Sequence, residues 1–132
     1  MADGRTRVIA CDTLVALGGR IFGKPADEAH ARATLGALSG HTHEVVGGLW
    51  LVDGAEEQGG IARTRVTFRE IEPRMLDWFV ARGEWQGRSG GYAIQGGAAA
   101  FATAIDGDFE NIVGLPLSLL LELWPGFLLE TA

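Results

Sequence analysis

The chain has 132 residues, 47% hydrophobic and 21% charged, a balance that fits one globular domain and excludes a second. Seventeen acidic against eleven basic residues leave a net charge of −6, and with no basic run this argues against nucleic acid or an anionic membrane as a bulk-charge partner. The single cysteine, Cys11, excludes an internal disulfide, and a chain of this size buries about two-thirds of its unfolded surface without such a staple.

The opening residues lack the apolar core of a secretory signal and run directly into a strand-like segment, so the expected location is the cytoplasm. Residues 7–17 (RVIACDTLVAL) are apolar and β-branched on both faces, which predicts a strand buried in a sheet with both faces covered. Gly18-Gly19 predicts a hairpin turn into a short returning strand over 20–23. Residues 27–38 predict a helix, with Ala29, Ala33 and Leu35 to Leu38 at helical spacing, acids in the first turn and Gly40 past the end.

Residues 42–52 predict a strand, 54–60 an exposed polar loop, and 61–69 an alternating strand that pairs with the first as a hairpin. Pro73 opens a helix with Met75, Leu76, Phe79 and Val80 on its apolar face, ending at Gly83. Residues 85–97 are glycine-rich and irregular, and the apolar run 101–105 ends at the turn signal Asp106-Gly107. The stretch 112–129 approaches membrane-spanning length, but Glu122, Pro116 and Pro125 interrupt it, which predicts a core-packing helix around 117–124. The order of elements gives an α/β domain, a mixed sheet flanked by helices.

Residues 18–24 spell GGRIFGK, a phosphate-binding P-loop up to its last position, where Pro25 replaces the Ser or Thr that would hold magnesium. A P-loop passes from strand to helix, whereas Ile21-Phe22 read as a returning strand, so a hairpin is the better account. Asp12 interrupts an apolar strand, where a buried unpaired carboxylate costs several kcal/mol. It is either a hydrogen-bonded structural Asp or a carboxylate emerging at the sheet edge to bind a metal ion or take a proton from water. Lys24, the one lysine beside ten arginines, is either a compact cation for a phosphate oxygen or a solvated loop residue.

Residues 90–97 (GGYAIQGG) form either a bulged strand or a loop whose glycines let the backbone approach a flat ligand, with the Gln95 carboxamide facing a base edge and Arg88 a phosphate. His41 and His43 could share a strand face as metal ligands, but local hydrogen bonding explains them better. Asp106-Gly-Asp108 starts like a calcium loop and then fails at Asn111 and Leu117, which leaves a turn. Cys11, in an apolar strand, is expected to be inert.

Taken together, the segments ACDTLV (10–15), FGKP (22–25), LSGHTHEV (38–45), GYAIQG (91–96) and GDFENIVGLP (107–116) resemble, in order and spacing, the Maf septum-formation family. The resemblance implies a divalent-metal-dependent nucleoside triphosphate pyrophosphatase, with magnesium or manganese, that hydrolyses the α-β phosphoanhydride to a monophosphate and pyrophosphate in a housecleaning role. By position it implies that Asp12 is the catalytic, metal-binding acid and Lys24 the lysine of the glycine-lysine-proline motif. Thr13 and Gln95 match positions that set base choice, and the tyrosine-alanine-isoleucine-glutamine form resembles the branch acting on dTTP and UTP.

There are departures from the family pattern. Arg88 stands where a lysine is common, Gly87 replaces a frequent acid and Gly47 a frequent threonine. The family's opening strand and Ser-x-Ser-Pro-Arg-Arg phosphate loop have no counterpart, so residues 1–132 are expected to form a single Maf-like domain lacking its N-terminal segment. Such a chain is expected to self-associate or fold marginally, and to hydrolyse nucleotides poorly, because Lys24 and Arg88 alone do not replace the lost donors around a triphosphate. A nucleotide-binding or structural remnant without turnover is the competing expectation.

Overall fold

A computed structural model describes residues 7–131. Five strands, β1 (Arg7–Leu17), β2 (Arg20–Phe22), β3 (Thr42–Asp53), β4 (Glu56–Phe68) and β5 (Ala102–Asp106), form one sheet in the order β2-β1-β3-β4-β5. Its helices are α1 (Glu28–Leu38), α2 (Pro73–Ala81), α3 (Phe109–Val113), α4 (Leu117–Leu123) and α5 (Phe127–Thr131). The α/β class is as expected. The pairing differs from the mixed sheet anticipated, because all four described ladders are antiparallel. Two tight hairpins, β1 to β2 and β3 to β4, reverse the chain, and α1 returns it to the free side of β1 antiparallel again.

The β1–β2 turn is the two-glycine hairpin expected, with φ of 57° at Gly18 and 78° at Gly19, the left-handed pair that matches the twist of the flanking strands. That geometry removes the P-loop reading. Asp27 caps the start of helix α1, its side chain accepting the His30 N–H at 2.8 Å. Its buried face is Ala31, Thr34, Leu35 and Leu38, a clean i, i+3, i+4, i+7 stripe. The expected Ala29 and Ala33 face solvent, so the stripe is rotated from the one anticipated.

Register fixes the two faces of the sheet. Val15 pairs with Val45 and Val45 with Thr64, so these share the face covered by α1, α2 and the segment after α2, with Phe68, Phe79 and Phe101 at the centre of the core. Farther along the same face Leu49 and Leu51 pack on Leu120 of α4. The opposite face leaves Leu14, Trp50 and Ile61 exposed. Consequently β1 is not the doubly covered strand its composition suggested, and residues 8–12 are all exposed. Apolar composition reports what a strand can bury, while only its neighbours decide what is covered.

Two further expectations change. Residues 56–60, read as loop, are the start of β4 and pair with β3 from Asp53 to Leu49. A β-carbon at Gly59 would overlap the Trp50 ring, so the glycines that suggested a loop instead make room for an indole lying across the hairpin. The apolar C-terminal stretch is three short helices broken at Gly114-Leu115-Pro116 and Trp124-Pro125-Gly126. Among the described residues no helix is long and apolar enough to cross a membrane.

Candidate active site

A cleft of about 670 Å³ opens beside β1 where β2 no longer covers it. All five residues singled out in the sequence line it: Asp12, Thr13, Lys24, Arg88 and Gln95. They come from three places along the chain. Thr13 lies on the covered face of β1, opposite Gly47, while Asp12 lies opposite Gly48 and belongs to the outer face. The sheet ladder from β2 reaches only Val15 to Leu17, so Asp12 sits on a stretch of β1 that is a free edge among the described strands. Its carboxylate is exposed, and Oδ1 accepts the Thr13 N–H at 2.9 Å. The desolvation cost feared for a buried Asp12 therefore does not arise.

Cys11, expected to be inert in a buried strand, is exposed on this edge and lines the cleft. Lys24 follows β2, exposed, beside the buried Pro25. The segment 88–97 is brought against it by a backbone bond, Gly90 N–H to Gly23 C=O at 3.1 Å. Gly90 and Gly91 have φ of 72° and 78°, and a β-carbon would press on Val15 at Gly90 and on Leu35 and Pro25 at Gly91. Only glycine permits both the turn and the approach to β1 and α1. The segment is thus a docked loop, which resolves the choice between strand and loop left open above.

Past this turn Tyr92 and Ile94 point into the core, while Gln95 is exposed in the cleft. Tyr92 Oη and His43 Nε2 share a hydrogen bond of 2.6 Å, and both rings pack edge-on against Phe68. Burial pushes the Tyr92 phenol up and lowers His43 to about 4, so the imidazole is neutral. His43 is therefore a core residue. His41 bonds the Ser39 carbonyl at 2.7 Å, and the two histidines serve local structure rather than a shared metal.

Glu84, not picked out from the sequence, also lines the cleft. It accepts from Arg82 Nη2 at 2.8 Å and from the Gly97 N–H at 2.9 Å. The Arg82 bond first, then the Gly97 amide, hold its carboxyl below the usual carboxylate range, and Arg88 adds to this. A lone acid amid glycines is its only signal in the sequence.

The donor set bears on the metal that the resemblance implies. Among the described residues no three His, Cys, Asp or Glu side chains gather as a cage, and both Glu84 oxygens are already engaged. An exposed carboxylate at Asp12 fits a magnesium-type ion, which takes one or two carboxylates and completes its shell with water and substrate phosphates.

The Maf-like protein family matches this chain over residues 2–126, and the chain belongs to that family. It is 43% identical over 116 residues to a dTTP/UTP pyrophosphatase of Pyrococcus furiosus, covering 88% of this chain and 61% of that protein. The dTTP/UTP pyrophosphatase of Deinococcus radiodurans is 45% identical over 119 residues, with 90% and 61% covered. That of Nitrosomonas europaea is 47% identical over 110 residues, with 83% and 53% covered. The chain thus spans about three fifths or less of the length of these relatives.

Proposed function

We propose that this chain acts on nucleoside triphosphates of the dTTP and UTP type, hydrolysing the α-β phosphoanhydride to a monophosphate and pyrophosphate. The observation that carries the reading is that one cleft gathers a free-edge carboxylate, two cations and an exposed carboxamide. Relatives bearing the name dTTP/UTP pyrophosphatase support it.

In this reading Lys24 and Arg88 hold the phosphate oxygens, one as a point charge and the other as a planar fork. Thr13 and Gln95 face the base, because a carboxamide offers one donor group and one acceptor to the mixed edge of a pyrimidine. Asp12 orients the attacking water and accepts its proton. A magnesium or manganese ion bound at Asp12 together with the phosphates would supply charge neutralisation and water activation. Positioning and neutralised charge are the main demands of phosphoryl chemistry, so little else is required of the protein.

The finer statements about setting rest on the same reading. Nucleoside triphosphates are the substrates, with a housecleaning role in the cytoplasm, and neither nucleic acid nor a membrane is a partner. Self-association is proposed through the exposed outer sheet face, where Leu14, Trp50 and Ile61 are 40%, 47% and 62% exposed. The test of function is product analysis with dTTP, UTP and GTP in the presence of magnesium. Pyrophosphate and monophosphate from the pyrimidine nucleotides support the proposal. Diphosphate and orthophosphate contradict it, and binding without turnover identifies a nucleotide-binding remnant instead.

A further inference from the structure

We infer that His43 and Glu84 are positioning residues for base choice, because they fix the two ends of the short segment that carries Gln95. This rests on the reading of Gln95 as the base-facing residue. The segment from Tyr92 to Gly97 has one tie at each end to a side chain from elsewhere in the fold. At its start His43 of β3 holds Tyr92 Oη at 2.6 Å, 49 residues away in sequence. At its end the Glu84 carboxylate, after α2, holds the Gly97 N–H at 2.9 Å.

Between the ties the chain makes one turn, Gly96 N–H to Ala93 C=O at 3.0 Å, with Ile94 buried and Gln95 projecting into the cleft. A carboxamide discriminates only when its oxygen and nitrogen meet the right atoms, so the backbone beneath it must be placed to a fraction of an ångström. Among the described residues the Gln95 side chain, exposed in the cleft, has no hydrogen bond that would supply this placement. The ties do so, one through a buried aromatic cluster and one through a charge-assisted bond.

The two ties differ in a useful way. His43 and Tyr92 are 1% and 6% exposed, so their bond forms only when the core is packed. Glu84 is near the surface and is itself oriented by Arg82. A change at Glu84 therefore tests positioning without disturbing the core.

The experiment measures affinities for the α,β-imido analogues of UTP and GTP by calorimetry, in the chain as given and in variants whose folding is checked by thermal melts. The parent is expected to prefer the UTP analogue, and Gln95→Leu to abolish the preference. Tyr92→Phe and Glu84→Ala are each expected to lower the preference about three- to tenfold, the net weight of one hydrogen bond. Glu84→Gln, which keeps an oxygen for Gly97, should restore most of it. Adding His43→Phe to Tyr92→Phe should change the preference no further, since both break the same contact.

Equal weakening toward both analogues, with the preference intact, is the mark of a merely structural role and overturns the inference. So does a preference lost in Gln95→Leu but untouched in Tyr92→Phe and Glu84→Ala, an outcome that leaves the reading of Gln95 standing. A parent without preference overturns that reading, and this inference with it. Should the core variants unfold, the comparison of Glu84→Ala with Glu84→Gln decides alone.

Discussion

The Asn111 carboxamide occupies the space where Gly47 lacks a side chain, and a β-carbon at Gly47 would overlap Asn111 Oδ1. Asn111 is fully buried, and its Nδ2 donates to Val45 C=O at 3.1 Å, Ala62 C=O at 3.3 Å and Thr64 Oγ1 at 3.1 Å. One side chain thereby ties α3 to β3 and β4, and Ile112, the residue that follows it, lines the cleft. The glycine that departs from the family pattern and the asparagine that spoils the calcium loop are one contact.

Asn111→Asp tests this contact. The substitution keeps the shape, removes both amide hydrogens and sets a carboxylate against three acceptors, so the loss should be about 3 kcal/mol or more. Urea denaturation should show a lower midpoint with an unchanged slope. A midpoint equal to that of the parent would remove Asn111 from the account of stability.

A second prediction concerns acid. His43 titrates at about 4 in the folded protein because burial disfavours its charged form, against about 6.5 when unfolded. The unfolded chain binds the extra proton first as pH falls, so the stabilisation linked to His43 is complete above about pH 6.5 and is lost progressively down to about pH 4. The full loss is about 3 kcal/mol, and below pH 4 this contribution levels off. Thermal melts across this window should show a steeper decline for the parent than for His43→Gln, and parallel curves would contradict the assignment.

The limits of sequence reading follow the range of the contacts. Asp12, Lys24 and Gln95 stand out locally, as a charge within an apolar strand, a lone lysine and a carboxamide between glycines, and all three line one cleft. The β1–β2 hairpin was equally legible, because two glycines with positive φ are a local requirement. By contrast, the exposure of β1 depends on which helices pack where, and the start of β4 depends on Trp50 lying over Gly59. Glu84 and His43 act on residues 13 and 49 positions away. No local pattern announces such partners.

Lys24 and Arg88 should contribute differently from Gln95. Lys24→Met removes a cation from the cleft while leaving the base-facing groups in place, so affinity for UTP and GTP analogues should fall together, by about tenfold, a charged hydrogen bond lost. The affinity of the variant should also depend less steeply on salt than that of the parent. A selective loss for one base in Lys24→Met would contradict its assignment to phosphate.

The loop's approach to β1 can be tested at Gly90. An alanine there must adopt a φ near 72° and lies 2.7 Å from Val15 Cγ2, which together should cost about 1–3 kcal/mol. Because the same turn places Arg88 and Gln95, Gly90→Ala should lose nucleotide affinity along with thermal stability. Full stability with full affinity would show that the turn tolerates a side chain.

The most direct test of the central claim is pyrophosphate release from dTTP at saturating substrate and magnesium, compared between the parent and Asp12→Asn at matched folding. The exchange keeps the shape at the free edge of β1 and removes the charge that orients and deprotonates water. The account predicts release of pyrophosphate with dTMP by the parent, abolished by excess chelator, and a rate at least about 100-fold lower in Asp12→Asn. An Asp12→Asn protein as fast as the parent, or release that persists in chelator, would contradict it.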